Sequence, residues 1–555
     1  MNSLKPMLLT SLKSYNRTQF VKDVTAGIIV AIIALPLSIA LALASGVGPE
    51  AGIFTAIVAG FVISALGGSS VQIAGPTAAF ATIVAGIVAK DGLDGLVIST
   101  ILAGIFLILM GLCHFGSLIK FIPYTITTGF TSGIAVTIVI GQLKDFFGVT
   151  YPDGVKPIET TEKFKAFIEN ISTMNTAALI VGIVSLAILI ISPVIFKKIP
   201  GSLIAVIVGI LMVKFLPLKV STIGNLYTIS NSLPAFHLPA VNLHIIENAL
   251  PNAFTIAVLA AIESLLSCVV ADGMINGKHR SDMELVAQGA GNIASALFGG
   301  IPATGAIART AANIKNGGRT PVAGMVHSIT LVIVLVVLMP FAGMIPMPTI
   351  AAILFIVAYN MCQWRTFVHL IRTAPKSDII VLFATFILTI LFDLVVAIEI
   401  GMVLACLLFI KRMSEETHVD GWTYVDDDTP DVDAHLKKLP LQIRVYEITG
   451  PLFFGAADAI EHIVVKDFTT CLVLRMRSVP AIDASAMRSL RDLAARAKKK
   501  HITLIFSHVN EQPMSVMKKD HFIELIGEEH FLPNIVEALD YAENMVADSG
   551  HKAAK

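Results

Sequence analysis

Two short stretches put unusual residues inside apolar runs. One is Ala74-Gly75-Pro76-Thr77-Ala78-Ala79-Phe80. The other is Gly299-Gly300-Ile301-Pro302-Ala303-Thr304-Gly305-Ala306-Ile307-Ala308-Arg309. In each, a Gly/Pro bend leads into small residues that can start a helix. A helix that starts inside a hydrocarbon layer leaves its first N–H groups unpaired, and they must find partners there. They also carry the positive end of the helix dipole. Two such ends facing each other would hold an anion without a lysine. Pro is tolerated there because its missing N–H would have been unpaired anyway. A kinked or tightly packed pair of ordinary helices is the plainer alternative.

Two charged residues sit where charge is costly. Arg309 lies about one turn into the second stretch, where it would add a fixed positive charge or pair with a carbonyl. Glu263 lies in the run 256–270, whose only other ionisable residue is Cys268. A carboxylate inside a membrane is paired, protonated or bound to a cation. Ser264 adjoins it and Ser267 is one turn further on. This cluster could carry a proton or hold Na⁺, or Glu263 could pair with Arg309 for structure alone. Pro36 interrupts Ala34-Leu35-Pro36-Leu37-Ser38, either as a kink or as part of a site wall. Gln142 and Asp393 carry no assignment.

These residues need a scaffold, and composition describes it. Of 555 residues, 55% are hydrophobic and 14% charged; the mean hydropathy is +0.79. Forty basic residues balance forty acidic ones, which excludes a nucleic-acid binder that relies on a basic surface. The apolar content excludes a disordered chain. The balance hides a split. Residues 1–412 hold 24 basic and 17 acidic residues, and residues 413–555 hold 16 and 23. The first part has the make-up of a membrane domain and the second of a soluble one.

A helix needs about 20 apolar residues to cross the hydrocarbon core. Runs of that kind fall at 24–45, 94–112, 119–143, 176–196, 249–271, 321–340, 376–392 and 395–410. Shorter or interrupted runs fall at 52–66, 77–89, 202–216, 284–298, 305–314 and 344–361, making fourteen. The two Gly/Pro stretches are then each third in a set of seven, the pattern that marks a transporter site. Lys5, Lys13, Arg17 and Lys22 precede the first span with no acid among them, which predicts a cytoplasmic N-terminus. Lys197-Lys198, Lys278 and Arg280, Lys315 and Arg319, and Lys411-Arg412 fall on the same side. The C-terminal part is then cytoplasmic too.

That part, 440–548, alternates strands and helices: strand 441–448, helix 456–465, strand 471–476, helix 485–499, strand 502–506 and helix 534–547. This predicts a small α/β domain after a linker at 413–439, with a tail at 549–555. No phosphate-binding glycine loop and no Ser/His/Asp motif is present, so we expect no enzyme. The five cysteines and the histidines 501, 508, 521 and 530 show no metal-ligand spacing. No cofactor or metal is expected, beyond H⁺ or Na⁺ as a coupling ion.

Several motifs resemble the SulP anion transporters over nearly the whole chain. They are Asp23–Gly27 through Pro36, Gly46–Gly52, Gly75-Pro76-Thr77, Ile122-Pro123 with Gly129-Phe130-Thr131-Ser132-Gly133, Glu263-Ser264, Gln288-Gly289 with Asn292, Gly299-Gly300-Ile301-Pro302 and Arg309-Thr310. The tail resembles a STAS domain in Gly450-Pro451-Leu452-Phe453-Phe454-Gly455 and Asp483-Ala484-Ser485. The resemblance implies an α-helical membrane protein of seven-plus-seven inverted repeats. Spans 1–4 and 8–11 would form a core and 5–7 and 12–14 a gate. It also implies elevator-like movement and a homodimer in the cell membrane. It places a small inorganic anion against Thr77, Ala78, Phe80, Gly305, Ala306, Ile307, Arg309, Pro36 and Leu41, with Glu263 and Ser267 serving the coupling ion. Bicarbonate-transporting members of the family carry Asp and Thr where this chain has Glu263 and Ser267, and a Thr at the place of Ile307. That difference favours protons over sodium. Ala484 stands where related STAS proteins carry a phosphorylated Ser. Sulfate or bicarbonate is the expected substrate. Alternatives are a nucleobase–proton symporter on the same fold, C4-dicarboxylate transport, or a non-transporting anion sensor.

Overall fold

In the computed structural model, the described residues are 4–117, 122–152, 157–195, 200–216, 218–229, 232–239, 243–392, 394–421, 439–455, 460, 463 and 468–553. The chain divides into two units, Met1–Met402 and Val403–Lys555.

The first unit is helical. Helix α1 (Arg17–Ala44) starts at Asn16, whose side chain accepts from the Gln19 amide, and it carries Pro36 inside. Helix α2 (Pro49–Leu66) has Pro at its first position, where the missing N–H costs nothing. Strand β1 (Ala74–Gly75) leads into α3 (Ala78–Leu112), which bends at Gly92 (φ 73°). Only glycine reaches that conformation freely. The bend falls in Lys90-Asp91-Gly92-Leu93-Asp94, between the expected third and fourth spans. Helices α4 (Tyr124–Phe147), α5 (Thr176–Ile195) and α6 (Gly201–Phe215) follow. The second half runs α7 (Leu243–Ile275), α8 (Ser281–Leu297), β2 (Thr304–Gly305), α9 (Ile307–Lys315), α10 (Val322–Ala342) and α11 (Met347–Cys362). After α11 come a surface helix α12 (Trp364–Thr373), then α13 (Lys376–Leu391) and α14 (Leu394–Glu415).

With α3 counted as two segments, each of the fourteen expected spans meets a helix of the structure. The basic pair Lys197-Lys198 and Asp393 lie outside the described residues. Packing sorts the helices into two groups. Helices α1, α2, α3, α7, α8, α9 and α10 pack on one another, and α4, α5, α6, α11 and α13 form the second group. The groups match spans 1–4 and 8–11 of the expected core and spans 5–7, 12 and 13 of the expected gate. Two short strands, far apart in sequence, meet inside the first group.

The second unit holds a five-stranded sheet. Strand β3 (His418–Gly421) pairs antiparallel with β4 (Ile443–Thr449), and β5 (Cys471–Ser478), β6 (Thr503–Ser507) and β7 (Phe531–Leu532) continue in parallel. Strand β3 falls inside 413–439, the stretch expected to be a linker, so pairing begins before residue 440. The sheet is covered on both faces, as parallel sheets are. Leu472, Leu474 and Met476 point to one side, with Leu490 and Leu493 of α15 (Ala484–Lys499). Val473 and Ile505 point to the other, with Ala538, Leu539 and Ala542 of the C-terminal helix. Asp483 caps α15 by accepting from the Ala486 amide at 2.9 Å. Helices α16 (Glu511–Lys519), α17 (Phe522–Ile526) and α18 (Ile535–Ala553) complete the unit. Of the helix expected at 456–465, only Ile460 and Ile463 are described; both are buried.

Candidate functional site

The site is built from chain interruptions. Strands β1 and β2 pair antiparallel, Ala74 opposite Gly305 and Gly75 opposite Thr304. The Ala306 amide adds a bond to the Ile73 carbonyl at 2.9 Å. The chain then turns into helix on either side, α3 at Ala78 and α9 at Ile307. Antiparallel strands feed these helices from opposite directions, so their N-termini face one another across the crossover. Neither N-cap residue, Thr77 or Ala306, bonds a helix N–H with its side chain. Their first N–H groups therefore keep the character of an anion site.

Around the crossover the polar groups are paired in a definite order. Thr77 donates its hydroxyl to Glu263 Oε2 at 3.0 Å. Ser264 Oγ lies 2.6 Å from Thr304 Oγ1 and accepts the Gly305 amide at 3.1 Å. That amide is committed to Ser264 and is not available to a ligand. Ser267 is buried, and its hydroxyl has no partner. The structure thus joins Glu263 to Thr77 and does not join Glu263 to Ser267 by a hydrogen bond.

Arg309 is 1% exposed. Its Nη2 donates to Ser38 Oγ at 3.3 Å and to the Pro76 carbonyl at 3.2 Å. These bonds tie it to the segment after the Pro36 interruption and to the Gly/Pro bend. Among the described residues no ion pair joins it to Glu263 or to another carboxylate. A Cβ at Gly75 would overlap Arg309 Nη1, so the guanidinium would have to shift to admit one. Pro36, Leu41, Ala78 and Phe80 are buried close by in sequence, while Thr77 and Ala306 are half-buried and Ile307 is exposed. The open side of the crossover therefore carries Thr77, Ala306 and Ile307, with the Arg309 guanidinium buried. A separate groove of about 500 Å³ between α4 and α11, lined by Val136, Val139, Phe355 and Tyr359 among others, has almost no polar group to offer an inorganic anion.

Other buried polar groups hold the bends: Asp23 and Asn292 stood within the motifs of the resemblance, while Glu284 and Thr55 had not been singled out. Glu284 accepts from the Gly68 and Ser69 amides at 2.9 and 3.2 Å, and from Gln72 and Gln288 at 2.7 and 2.9 Å. It anchors the loop that enters β1. An acid at the start of a short apolar run was its only signal in the sequence. Asn292 does the same for β2, donating to the Ala303 carbonyl and accepting its amide at 2.9 and 2.8 Å. Thr55 accepts the Ile301 amide at 2.7 Å. Asp23, fully buried, accepts from Tyr15 at 3.0 Å, Gln19 at 2.8 Å, the Arg319 amide at 2.9 Å and the Thr320 hydroxyl at 2.6 Å. It joins the start of α1 to the turn before α10. Burial, helped by the neighbouring Asp23, pushes the Tyr15 hydroxyl up to about 12.

Comparison with known proteins places this arrangement. The sequence model described as "Sulfate permease family" matches residues 20–385, and that of the STAS domain matches 437–538. "Putative sulfate transporter YvdB" of Bacillus subtilis is 40% identical over 530 residues, 94% of this chain and 97% of that one. "Bicarbonate transporter BicA" of Picosynechococcus sp. is 32% identical over 493 residues, 86% of each. Among solved structures, SLC26A9 matches with a TM-score of 0.87 at 18% identity, over 99% of this chain and 94% of that one. The transmembrane domain of a cyanobacterial BicA matches with a TM-score of 0.61 at 29% identity, over 70% and 98%. Two interrupted helices meeting at a strand crossover, in a multi-pass helical unit followed by an α/β sheet domain, agree with these matches: the chain belongs to the sulfate permease family and carries a STAS domain.

Proposed function

We propose that this protein is a secondary transporter of inorganic anions, sulfate or bicarbonate, in the cell membrane. The observation that carries the reading is the crossover itself: two uncapped helix N-termini face each other, with a buried guanidinium behind them. Such a site reads negative charge through backbone N–H groups and small residues. Thr77, Ala306 and Ile307 form its open surface, with Ala78, Phe80 and Gly305 buried beneath them, Pro36 and Leu41 its wall on α1, and Arg309 supplies the fixed charge. The names of the similar proteins, sulfate and bicarbonate transporters, support the substrate class.

The bond from Thr77 to Glu263 supports coupling, since a proton gained or lost at Glu263 changes what the N-cap of α3 can donate to. A proton is the coupling ion we infer, because Glu263 and Ser267 stand where the bicarbonate-transporting members carry Asp and Thr. The separate packing of core and gate helices supports an elevator-like exchange of access, in which the core carries the crossover past the gate. Residues 1–412 are the transport domain and 440–548 the main body of a cytoplasmic STAS domain, with the N-terminus on the same side. A homodimer is the working assembly. The test is counterflow into proteoliposomes with labelled sulfate, bicarbonate, chloride and a C4-dicarboxylate, each with and without pH and Na⁺ gradients. Uptake of sulfate or bicarbonate driven by a pH gradient supports the reading, and no flux of any inorganic anion sinks it.

A further inference from the structure

We propose that the groove between α4 and α11 binds one acyl chain of an anionic phospholipid, with the headgroup phosphate held by Tyr359 and Arg365. The site stands apart from the crossover and does not rest on the transport reading. The groove has a volume of about 500 Å³, the size of a single fatty acyl chain. Val136 and Val139 of α4 line it with Phe355 and Ala358 of α11, and Tyr359 and Trp364 mark the end toward α12. At that end the Trp364 indole N–H donates to the Tyr359 hydroxyl at 3.2 Å, which leaves the hydroxyl its own proton to donate. The Arg365 guanidinium lies over the Trp364 ring, 5.5 Å from its centroid. From Gln363 to Ser377 the chain carries Arg365, Arg372 and Lys376 and no acid, and all three basic side chains are exposed.

The lining decides between water and hydrocarbon. An ordered water needs two to four polar partners, and this groove offers them at one end only. Helix α4 is long and apolar enough to cross a membrane, so lipid tails are the solvent at hand. The α12 end decides which lipid. Helix α12 lies on the surface with no buried residue, and its Phe367 packs on Phe383 and Phe386 of α13, with ring centroids 5.7 and 5.2 Å apart. A helix with one apolar face, a Trp and basic residues lies in the plane of the headgroups. That sets Arg365 at phosphate depth, next in sequence to the groove residue Trp364. A guanidinium binds phosphate through paired N–H groups, and each basic residue at a membrane surface favours anionic lipid. A zwitterionic lipid would set its own cation against the same basic stripe.

Two experiments test this on the full chain in lipid nanodiscs. The chain has two tryptophans, Trp364 and Trp422, so Trp422→Phe leaves Trp364 as the only indole emitter. Phosphatidylcholine discs then receive a minor fraction of phosphatidylglycerol or phosphatidylcholine with brominated acyl chains, which quench an indole on contact. Brominated phosphatidylglycerol should quench Trp364 at a lower fraction than brominated phosphatidylcholine. Arg365→Gln should lower that preference about fivefold, the contribution of one basic residue at an anionic surface. Val139→Phe, which fills the groove away from the headgroup, should remove the preference; Ala358→Leu fills the same groove if that variant does not reconstitute. Equal quenching by the two lipids overturns the proposal, and so does a preference that neither substitution alters. Stronger quenching by brominated stearic acid than by the phospholipid would give the groove to a free fatty acid and overturn it too. The second experiment is a single-particle map in discs containing phosphatidylglycerol. Chain-shaped density against Val139 and Phe355 that ends at Arg365 is expected. An empty groove overturns the site, as does one filled by water or by a second copy of the chain.

Discussion

Thr77 donates its hydroxyl to Glu263 Oε2 at 3.0 Å, so the residue that opens the third segment is fastened to the carboxylate in the middle of α7. One bond links the helix end that would face an anion to the group that would carry a proton. Glu263→Gln keeps an acceptor for Thr77 but cannot change charge. We expect it to retain anion exchange and to lose the response of uptake to an imposed pH gradient. Flux measured with and without that gradient checks this, and an unchanged gradient response removes Glu263 from coupling. Thr77→Val, which breaks the bond and leaves the carboxylate, should shift the pH dependence without abolishing it.

Arg309→Ala should weaken anion binding rather than turnover. Its charge lies behind the crossover, held by Ser38 and Pro76. The charge acts on the anion without a hydrogen bond to it, and its loss should raise KM about tenfold, about 1.4 kcal/mol. Initial rates across a range of sulfate or bicarbonate concentrations measure it. A fall in turnover at constant KM would contradict the role.

Gly75→Ala tests the fit between bend and guanidinium. The added Cβ would overlap Arg309 Nη1. Overpacking of this kind costs about 1–3 kcal/mol, visible as a lower unfolding temperature of the purified protein. In an Arg309→Ala background the colliding atom is gone, so the same substitution should cost much less. Equal costs in both backgrounds would show that Arg309 is not the neighbour that matters.

Glu284→Gln should destabilise the loop before β1. The carboxylate accepts four bonds, two of them from backbone amides, and an amide nitrogen in its place faces donors with a donor. Each buried donor left unpaired costs about 1–3 kcal/mol. Thermal unfolding in nanodiscs reads the loss, with an unchanged midpoint counting against a structural role.

Tyr15 sets an alkaline limit. Its hydroxyl is held up to about 12 against an ordinary 10, by burial first and by Asp23 second. The folded state therefore favours the neutral phenol. The stability it contributes is complete below pH about 10 and is lost as pH rises through about 12. Unfolding temperatures from pH 9 to 12 should fall less steeply in Tyr15→Phe than in the parent protein. Parallel curves would show that Tyr15 does not contribute.

The fourteen spans, the split between an apolar and a charged part, and the two Gly/Pro interruptions were legible in the sequence because each is local. Hydrophobic length, charge density and a bend residue act within a few turns of chain. Residues 74–80 and 299–309 could therefore be picked out, and Glu263 and Arg309 stood out as charges in apolar runs. What lies next to what depends on packing between segments some 200 residues apart. The pairing of Ala74 with Gly305, the choice of Thr77 rather than Ser267 as the partner of Glu263, and the seating of Arg309 against Gly75 belong to that level. Glu284 and Asp23 look ordinary as residue types. Only the fold removes their water and names their partners, and that burial, which no local pattern encodes, decides which charges act on the crossover and which hold it together.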